Sequence, residues 1–372
     1  MKKILHISKF YYPYFGGIED VVYNIVNELR EQFEQRVICF NHERTGTIRT
    51  LDNGVEIVRV NAPVIVASQP ISFSYIHQLR KEIRSFRPDV IHVHFPNPLV
   101  AFYLSLMPMR HTKLIIHWHA DVIGKNFLYN LYKPIEHKLL KRADAIITTS
   151  KQYIERSAPL QAFKDKIHIL PNIVNEEKMR LAVGEEAEVQ AIQKRYEEKK
   201  IVLFIGRHVE YKGIPLLIRA ARFLDDDCVV LIGGTGELTQ TLKQKAQAMQ
   251  DKIFFLGRLP SQEMKYFMHA ASVFAFPSID RREAFGVVLA EALYCGTPAV
   301  SFRIAGSGTT WVNQNGKTGI VVETMDAKKY AEAINTLLRD DKLRKQYGQN
   351  AEEWVRANFL KDKIQMLSKL YN

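Results

Sequence analysis

Two cations and two carboxylates define the chemistry this sequence can do. Arg207 and Lys212 lie in GRHVEYKG (206–213), directly after the apolar run IVLFIG (201–206), and so in the loop beyond a strand's carboxyl end. A guanidinium fork and an ammonium point charge at such a place suit a diphosphate. Further on, SIDRREAFGVVLAE (278–291) carries Glu283 and Glu291 with Phe285, Gly286 and Val287 between them. The run SVFAFP stops at Pro277, so Glu283 falls in a loop, Gly286 opens a helix at Val287, and Glu291 lies inside it. Unpaired N–H groups at that helix start can meet a phosphate or sugar oxygen. Glu291 can accept from ribose hydroxyls, and Glu283 from hydroxyls of a group being transferred. Ordinary solvated surface charge uses the same residue types, and that reading stays open here.

A second anion-binding element is Gly16-Gly17, which follows the first apolar run and precedes an amphipathic segment starting near Ile18. Paired glycines allow close backbone approach, and a helix start favours phosphate. The pattern is not GxGxxG, which disfavours a nicotinamide dinucleotide. His92-x-His94 and His117-x-His119-x-Asp121 place each histidine pair on one strand face near a carboxyl end. No acidic cluster or HExxH accompanies them, so no metal is expected. Finally, ISFSYIHQLRKEIRSFRPD (71–89) sets Arg80, Lys81, Arg84 and Arg87 beside Ile76, Leu79, Ile83 and Phe86. That spacing makes an amphipathic helix with a cationic side, either an ordinary solvated face or one that meets an anionic membrane, with LVAFYLSLMPM (99–109) as a helper or as plain core.

The elements that must position these residues come in two series. KILHIS (3–8), RVICF (36–40), VEIVRV (55–60), DVIHVH (89–94), KLIIHWH (113–119) and DAIITTS (144–150) read as buried parallel strands separated by helical stretches. After Pro171-Asn172 a polar helical stretch (184–200) intervenes. The pattern then restarts with IVLFIG, CVVLIG (228–233), KIFFLG (252–257), SVFAFP (272–277), PAVSF (298–302) and GIVV (319–322). Two doubly wound α/β domains are predicted, with ligands in a cleft between them. The domains are drawn as 1–175, 176–355 and a closing helical segment 356–372 that returns to the first domain, preceded by one long helix from about residue 326.

Composition agrees with an enzyme of this size. The chain has 372 residues, 47% hydrophobic and 25% charged, with no apolar run approaching the roughly 20 residues of a membrane span. The start MKKILHIS lacks a signal-peptide core, and a cytoplasmic location is expected, possible contact with the inner membrane face included. Cys39, Cys228 and Cys295 are too scattered for a disulfide framework and read as buried thiols. The net charge of +12 suits nucleic acid, anionic lipid or phosphorylated small molecules. Without a zinc pattern, an RNP-like motif or a concentrated basic run, nucleic acid is disfavoured.

Taken together, GGIE (16–19), GRHVEYKG, GGTGE (233–237) and EAFGVVLAE followed by CGTPAV resemble the retaining glycosyltransferases of family 4 over essentially the whole chain. The resemblance implies the GT-B fold, two Rossmann-like domains with parallel sheets facing a central cleft. It implies that Gly16 and Gly17 approach the donor phosphates and that Arg207 and Lys212 bind the diphosphate. Glu283, with Phe285, Gly286 and Val287, would hold the donor sugar, Glu291 the ribose, and His119 would face the sugar from the first domain. His92 and His94 are left as structural or acceptor-side residues. Where many relatives have GGxPE, this chain has RIAGSGTTWVNQNGKTG (303–319), which puts contacts in that loop in question. No cofactor is implied; the donor is a nucleoside diphosphate sugar, GDP-mannose first and a UDP-sugar second, and the acceptor a glycan or lipid-linked saccharide. A GT-B phosphorylase or epimerase is the alternative, weakened by the lack of a pyridoxal phosphate lysine setting and by the two spaced glutamates.

Overall fold

The computed structural model describes residues 1–372 apart from 15, 44, 67–68, 109–110 and 123–125. Phe15 of the segment before Gly16, Met109 of the LVAFYLSLMPM run, and Ile123, Gly124 and Lys125 after HWHADV therefore lie outside the described residues. The chain divides into two units, Met1–Ile173 with Lys361–Asn372, and Val174–Leu360.

In the first unit the strands are β1 (Lys3–Ile7), β2 (Glu34–Phe40), β3 (Ile48–Asp52), β4 (Val55–Val60), β5 (Val64–Val66), β6 (Gln69–Ile71), β7 (Val90–Phe95), β8 (Lys113–Trp118), β9 (Ala145–Thr148) and β10 (Ile167–Ile169). Eight of them form one sheet in the order β10-β9-β8-β7-β1-β2-β4-β3, while β5 and β6 make a separate hairpin. Only β3 runs antiparallel in that sheet, at its edge against β4. The central strands are apolar along their length because helices cover both faces. One layer packs Ile4, Val90 and Ile115 against Val21 and Ile25 of the helix Gly17–Glu28 and against Leu367 and Tyr371 of the chain's last helix. The strand order reverses between β1 and β7, the kind of position where doubly wound sheets bind ligands.

The second unit contains β11 (Lys200–Ile205), β12 (Cys228–Gly233), β13 (Ile253–Gly257), β14 (Val273–Phe276), β15 (Ala299–Phe302) and β16 (Gly319–Val322). They pair in parallel throughout, in the order β13-β12-β11-β14-β15-β16. This is the Rossmann order, with its reversal between β11 and β14. Separate apolar layers cover its two faces, one around Phe204, Val230 and Ile334, the other around Leu203, Phe274 and Leu289.

Three sequence expectations need correction. The long helix from 326 is two helices, Ala327–Arg339 and Asp341–Asn358, because Asp340 leaves helical geometry and its carboxylate accepts the Leu343 N–H at 2.9 Å. The second unit extends to Leu360 rather than 355, since Val355 and Phe359 are buried in its core. Cys295 is only half-buried, whereas Cys39 and Cys228 are buried.

Candidate active site

The loops after β11 and β14 meet at the reversal point of the second sheet. Lys212 follows β11, Glu283 follows β14, and the two form a buried ion pair, each only 8% exposed. The Ser278 hydroxyl donates to the same carboxylate at 3.0 Å, so Glu283 is held from two directions. The Lys212 ammonium also lies 5.4 Å from the ring centroids of Tyr211 and Phe276. Arg207, in contrast, is exposed and donates to the Tyr211 hydroxyl at 3.2 Å. The site thus holds one compensated cation and one that projects outward, a set that can receive an anion without burying an unpaired charge.

The Arg207 loop is fixed by the glycine-rich turn beside it. Gly206 donates to Gly233 O at 3.1 Å, His208 to Thr235 O at 3.0 Å, and Leu238 to His208 O at 3.0 Å. Such close backbone pairing leaves no room for a side chain at Gly234, whose φ is +114 and whose Cβ would strike the Gly206 carbonyl. Gly234→Ala is therefore expected to cost at least about 2 kcal/mol of stability and to displace Arg207. Thermal unfolding of the variant, compared with wild type, checks the first effect.

Gly286, at φ +86, turns the chain into the helix Val287–Tyr294. Phe285 is buried beside it, 5.4 Å centroid to centroid from Phe359, while Glu291 is half-buried one turn into the helix. Sequence reasoning missed Ser278 and Tyr211. Both stand next to residues it named, but only the fold shows that they touch Glu283 and Arg207.

In the first unit, Gly16 precedes the first helix with extended backbone and Gly17 begins it. A Cβ on Gly17 would meet nothing within 4 Å, so this face is open, whereas one on Gly16 would collide with the Glu19 carboxylate. That carboxylate sits in the helix's first turn, where the dipole stabilises it. His119 follows β8 and is 5% exposed, with its Nε2 3.1 Å from His94 Nδ1. Burial pushes its pKa down to about 3, so His119 is a neutral hydrogen-bonding group rather than a cation.

Residues 185–354 match the family model for glycosyl transferases group 1, and residues 15–178 match that for glycosyltransferase family 4. The chain belongs to these glycosyltransferases. It is 27% identical to O-antigen chain mannosyltransferase C of Escherichia coli over 97% of this chain and 95% of that one. It is 26% identical to D-rhamnosyltransferase WbpZ of Pseudomonas aeruginosa over 96% and 92%. Among solved structures, Anabaena Alr3699/HepE in complex with UDP and glucose superposes with a TM-score of 0.80 at 16% identity, covering 100% of this chain and 99% of that one. The fold of this glycosyltransferase is GT-B.

The loop that departs from GGxPE supports the site from behind. Buried Ser307 donates to the Glu283 carbonyl, and Gly308 donates to Ala284 O at 2.8 Å, so the segment carrying Glu283 is tied to this glycosyltransferase's own version of the loop.

The helix Ser74–Phe86 buries Tyr75, Leu79, Glu82 and Phe86. Glu82 is fully buried and paired with Arg36 and Arg49, and Ile76 and Ile83 are half-buried, so the buried side is less purely apolar than the spacing predicts. Arg80, Lys81, Arg84 and Arg87 are exposed, and an open depression of about 470 Å³ is lined by His77, Arg80, Lys81, Arg84 and Ser85. The helix Pro98–Ser105 is mostly core, though Phe102 is exposed. No helix among the described residues is long and apolar enough to cross a membrane.

Glu136, on the helix Asn126–Arg142, is buried and accepts from the Tyr129 hydroxyl at 2.8 Å, and burial raises its pKa to about 7. The raised value means that the folded state holds this proton between the unfolded value of 4.5 and about 7, so its stabilising contribution is complete below 4.5 and fades as pH rises to 7. Glu136→Gln should accordingly be about 2 kcal/mol more stable than wild type at pH 8 and no more stable at pH 4.5. Denaturant melts at the two pH values measure the difference.

Proposed function

We propose that this protein moves a hexose, mannose foremost, from a nucleoside diphosphate sugar to a hydroxyl of a glycan or lipid-linked saccharide in bacterial polysaccharide or lipopolysaccharide assembly. Transfer proceeds with retention at the anomeric carbon and without a metal ion in the reaction. The observation that carries the reading is the Lys212–Glu283 pair with Arg207 at the reversal point of the second sheet. The similarity to an O-antigen mannosyltransferase supports mannose, and the proposed donor is GDP-mannose ahead of a UDP-sugar.

In this reading Arg207 and Lys212 hold the donor diphosphate, Glu283 with the backbone of Phe285, Gly286 and Val287 takes the sugar hydroxyls, and Glu291 takes the ribose. Gly16 and Gly17 contribute backbone to the phosphates, and neutral His119 hydrogen-bonds the sugar. The acceptor oxygen bonds to the anomeric carbon on the face from which the diphosphate departs. The acceptor's proton passes to the departing diphosphate oxygen. The protein's work is to orient the two substrates and to stabilise the charge growing on the diphosphate.

Thermal stability in EDTA with GDP, UDP, ADP and their sugar conjugates tests the donor site. A ligand at 100 times its dissociation constant adds about 2.7 kcal/mol. A selective rise with GDP and GDP-mannose is expected; a rise with UDP alone would move the donor to a UDP-sugar, and no rise with any of them would sink the reading. The anomeric configuration of the product, read by NMR, tests retention.

Membrane contact forms part of the proposal. The exposed cations of Ser74–Phe86 stand in a chain segment that also exposes Phe73 at 85% and Val64, Ile65 and Val66 of the hairpin at 42–54%, a combination suited to an anionic lipid surface. Reversing Arg80, Lys81 and Arg84 to Glu should weaken sedimentation with anionic vesicles by about 100-fold or more, at about 1 kcal/mol per lost charge. Equal binding by the variant would assign the cations to ordinary solvation.

A further inference from the structure

The first sheet buries a row of histidines under its reversal point. His6 on β1 is in register with His92 on β7, and His94, two residues on, is in register with His117 on β8. Together with His119 these five side chains are at most 5% exposed, in the place where the same layer otherwise holds apolar residues. Ring centroids are 5.3 Å apart for His6 and His92, 4.5 Å for His92 and His94, and 6.1 Å for His6 and His94. One ring nitrogen from each of these three lies within 4.8 Å of one from each of the others.

The hydrogen bonds around them leave one nitrogen per ring without a partner among the described residues: Nδ1 of His6 and Nε2 of His92 and His94. The Gln35 amide donates to Val26 O at 2.8 Å, so its oxygen is the atom 2.8 Å from His6 Nε2. His6 must then carry its proton on Nε2 and keep a bare lone pair on the unpartnered Nδ1. The hydroxyl of Tyr371 lies 2.6 Å from His92 Nδ1, and His119 Nε2 lies 3.1 Å from His94 Nδ1. Each imidazole is thus anchored through one nitrogen and left unsatisfied at the other, the arrangement of a histidine ligand with its outer partner. An unpartnered buried polar atom costs about 1–3 kcal/mol, and three share this spot.

We propose that His6, His92 and His94 form a buried site for one divalent transition ion of the imidazole-binding class, for which Zn²⁺ and Co²⁺ are the probes. Burial lowers the pKa of His6 to about 4 and those of His92 and His94 well below the ordinary value, which keeps the rings in the neutral, ligating form. Tetrahedral coordination at about 2.0–2.1 Å brings ligand nitrogens to roughly 3.3 Å of each other, so the rings draw inward slightly when the ion binds. His117, with neither ring nitrogen partnered among the described residues, or a water fills the fourth position. The ion takes no part in transfer. Its consequence, resting on the function proposed above, is that a metal on His94 Nε2 keeps the proton on Nδ1, which donates to His119 Nε2 and fixes the proton of His119 on Nδ1, the tautomer that can donate to a sugar oxygen.

The test uses the full chain carrying a tag without histidines, produced in zinc-supplemented medium and dialysed without chelator. Because the site is closed inside the core, a second sample is unfolded and refolded with Co²⁺. About one zinc per chain by elemental analysis, and the visible bands of tetrahedral Co²⁺, are the expected results. His6→Gln and His92→Gln should each weaken ion binding by more than about 100-fold, whereas His119→Ala, which removes only the outer partner of His94, should weaken it by no more than about 10–100-fold. A wild-type chain that is metal-free in the first preparation and colourless in the second overturns the proposal, even if the histidine variants do not fold. So does ion retention that survives both glutamine variants, or one that depends on His119 and not on His6. Donor binding, read separately by thermal shift on the same samples, distinguishes failure of this site from failure of the transferase reading.

Discussion

Arg207→Ala is expected to lower kcat/KM for sugar transfer by about 10²–10³, the loss seen when one preorganised charge donor is taken from a transition state, while leaving the melting temperature nearly unchanged. The two halves of this expectation have separate sources. Arg207 is exposed and its guanidinium reaches the Tyr211 hydroxyl at 3.2 Å, so truncation empties no core and strands no buried charge. Yet the residue stands at the carboxyl end of β11, beside the strand-order reversal, and in the proposed donor site it faces the diphosphate oxygens that gain charge as the sugar leaves. Arg207→Lys should recover only part of the rate, since an ammonium cannot supply the planar fork. Initial rates with the nucleotide sugar selected by thermal shift, alongside a melt of each variant, give both numbers. Near-native turnover in Arg207→Ala would remove this loop from the reaction.

The sequence carried most strands of the two sheets because each of these is a short apolar run, as in CVVLIG at Cys228–Gly233. It concealed β3, whose IRTLD is mostly exposed at a sheet edge and so lacks any apolar signature, and β10, with three half-buried residues. Asp340 read as helix surface because a charged residue looks alike on an exposed face and at an N-cap. In the site, Arg207, Lys212 and Glu283 were legible as loop residues because each closely follows the end of an apolar run. The contact between Lys212 and Glu283 was not, since it joins positions 71 apart through the adjacency of β11 and β14. The histidines show the same limit. Alternation put His92 and His94 on one face, but His6 joins them only because β1 lies next to β7, and strand order leaves no trace in spacing.

Lys212→Ala differs from Arg207→Ala in that it should damage both folding and catalysis. Removing the lysine leaves the Glu283 carboxylate, 8% exposed, with the Ser278 hydroxyl in place of a countercharge. Breaking a buried pair from one side costs about 3–5 kcal/mol, which for a unit of this size lowers the melting temperature by roughly 10 °C. Low activity in that variant alone would therefore say little about chemistry. The pair is better removed whole. Lys212→Met combined with Glu283→Gln takes away both charges at similar volume, and stability should return to within about 1 kcal/mol of wild type, because a buried ion pair adds little over a well-packed neutral replacement. Transfer should stay down by about 10³ or more, since the ammonium proposed to meet the diphosphate and the carboxylate proposed to meet the sugar are both gone. The four proteins of the double-mutant cycle, each measured for unfolding free energy and for turnover, separate the two roles: coupling in stability reports the pair as a structural clamp, and the rate of the refolded double variant reports it as chemistry. A double variant that is stable and turns over at the wild-type rate would make Lys212 and Glu283 a clamp alone and place the leaving-group contacts elsewhere.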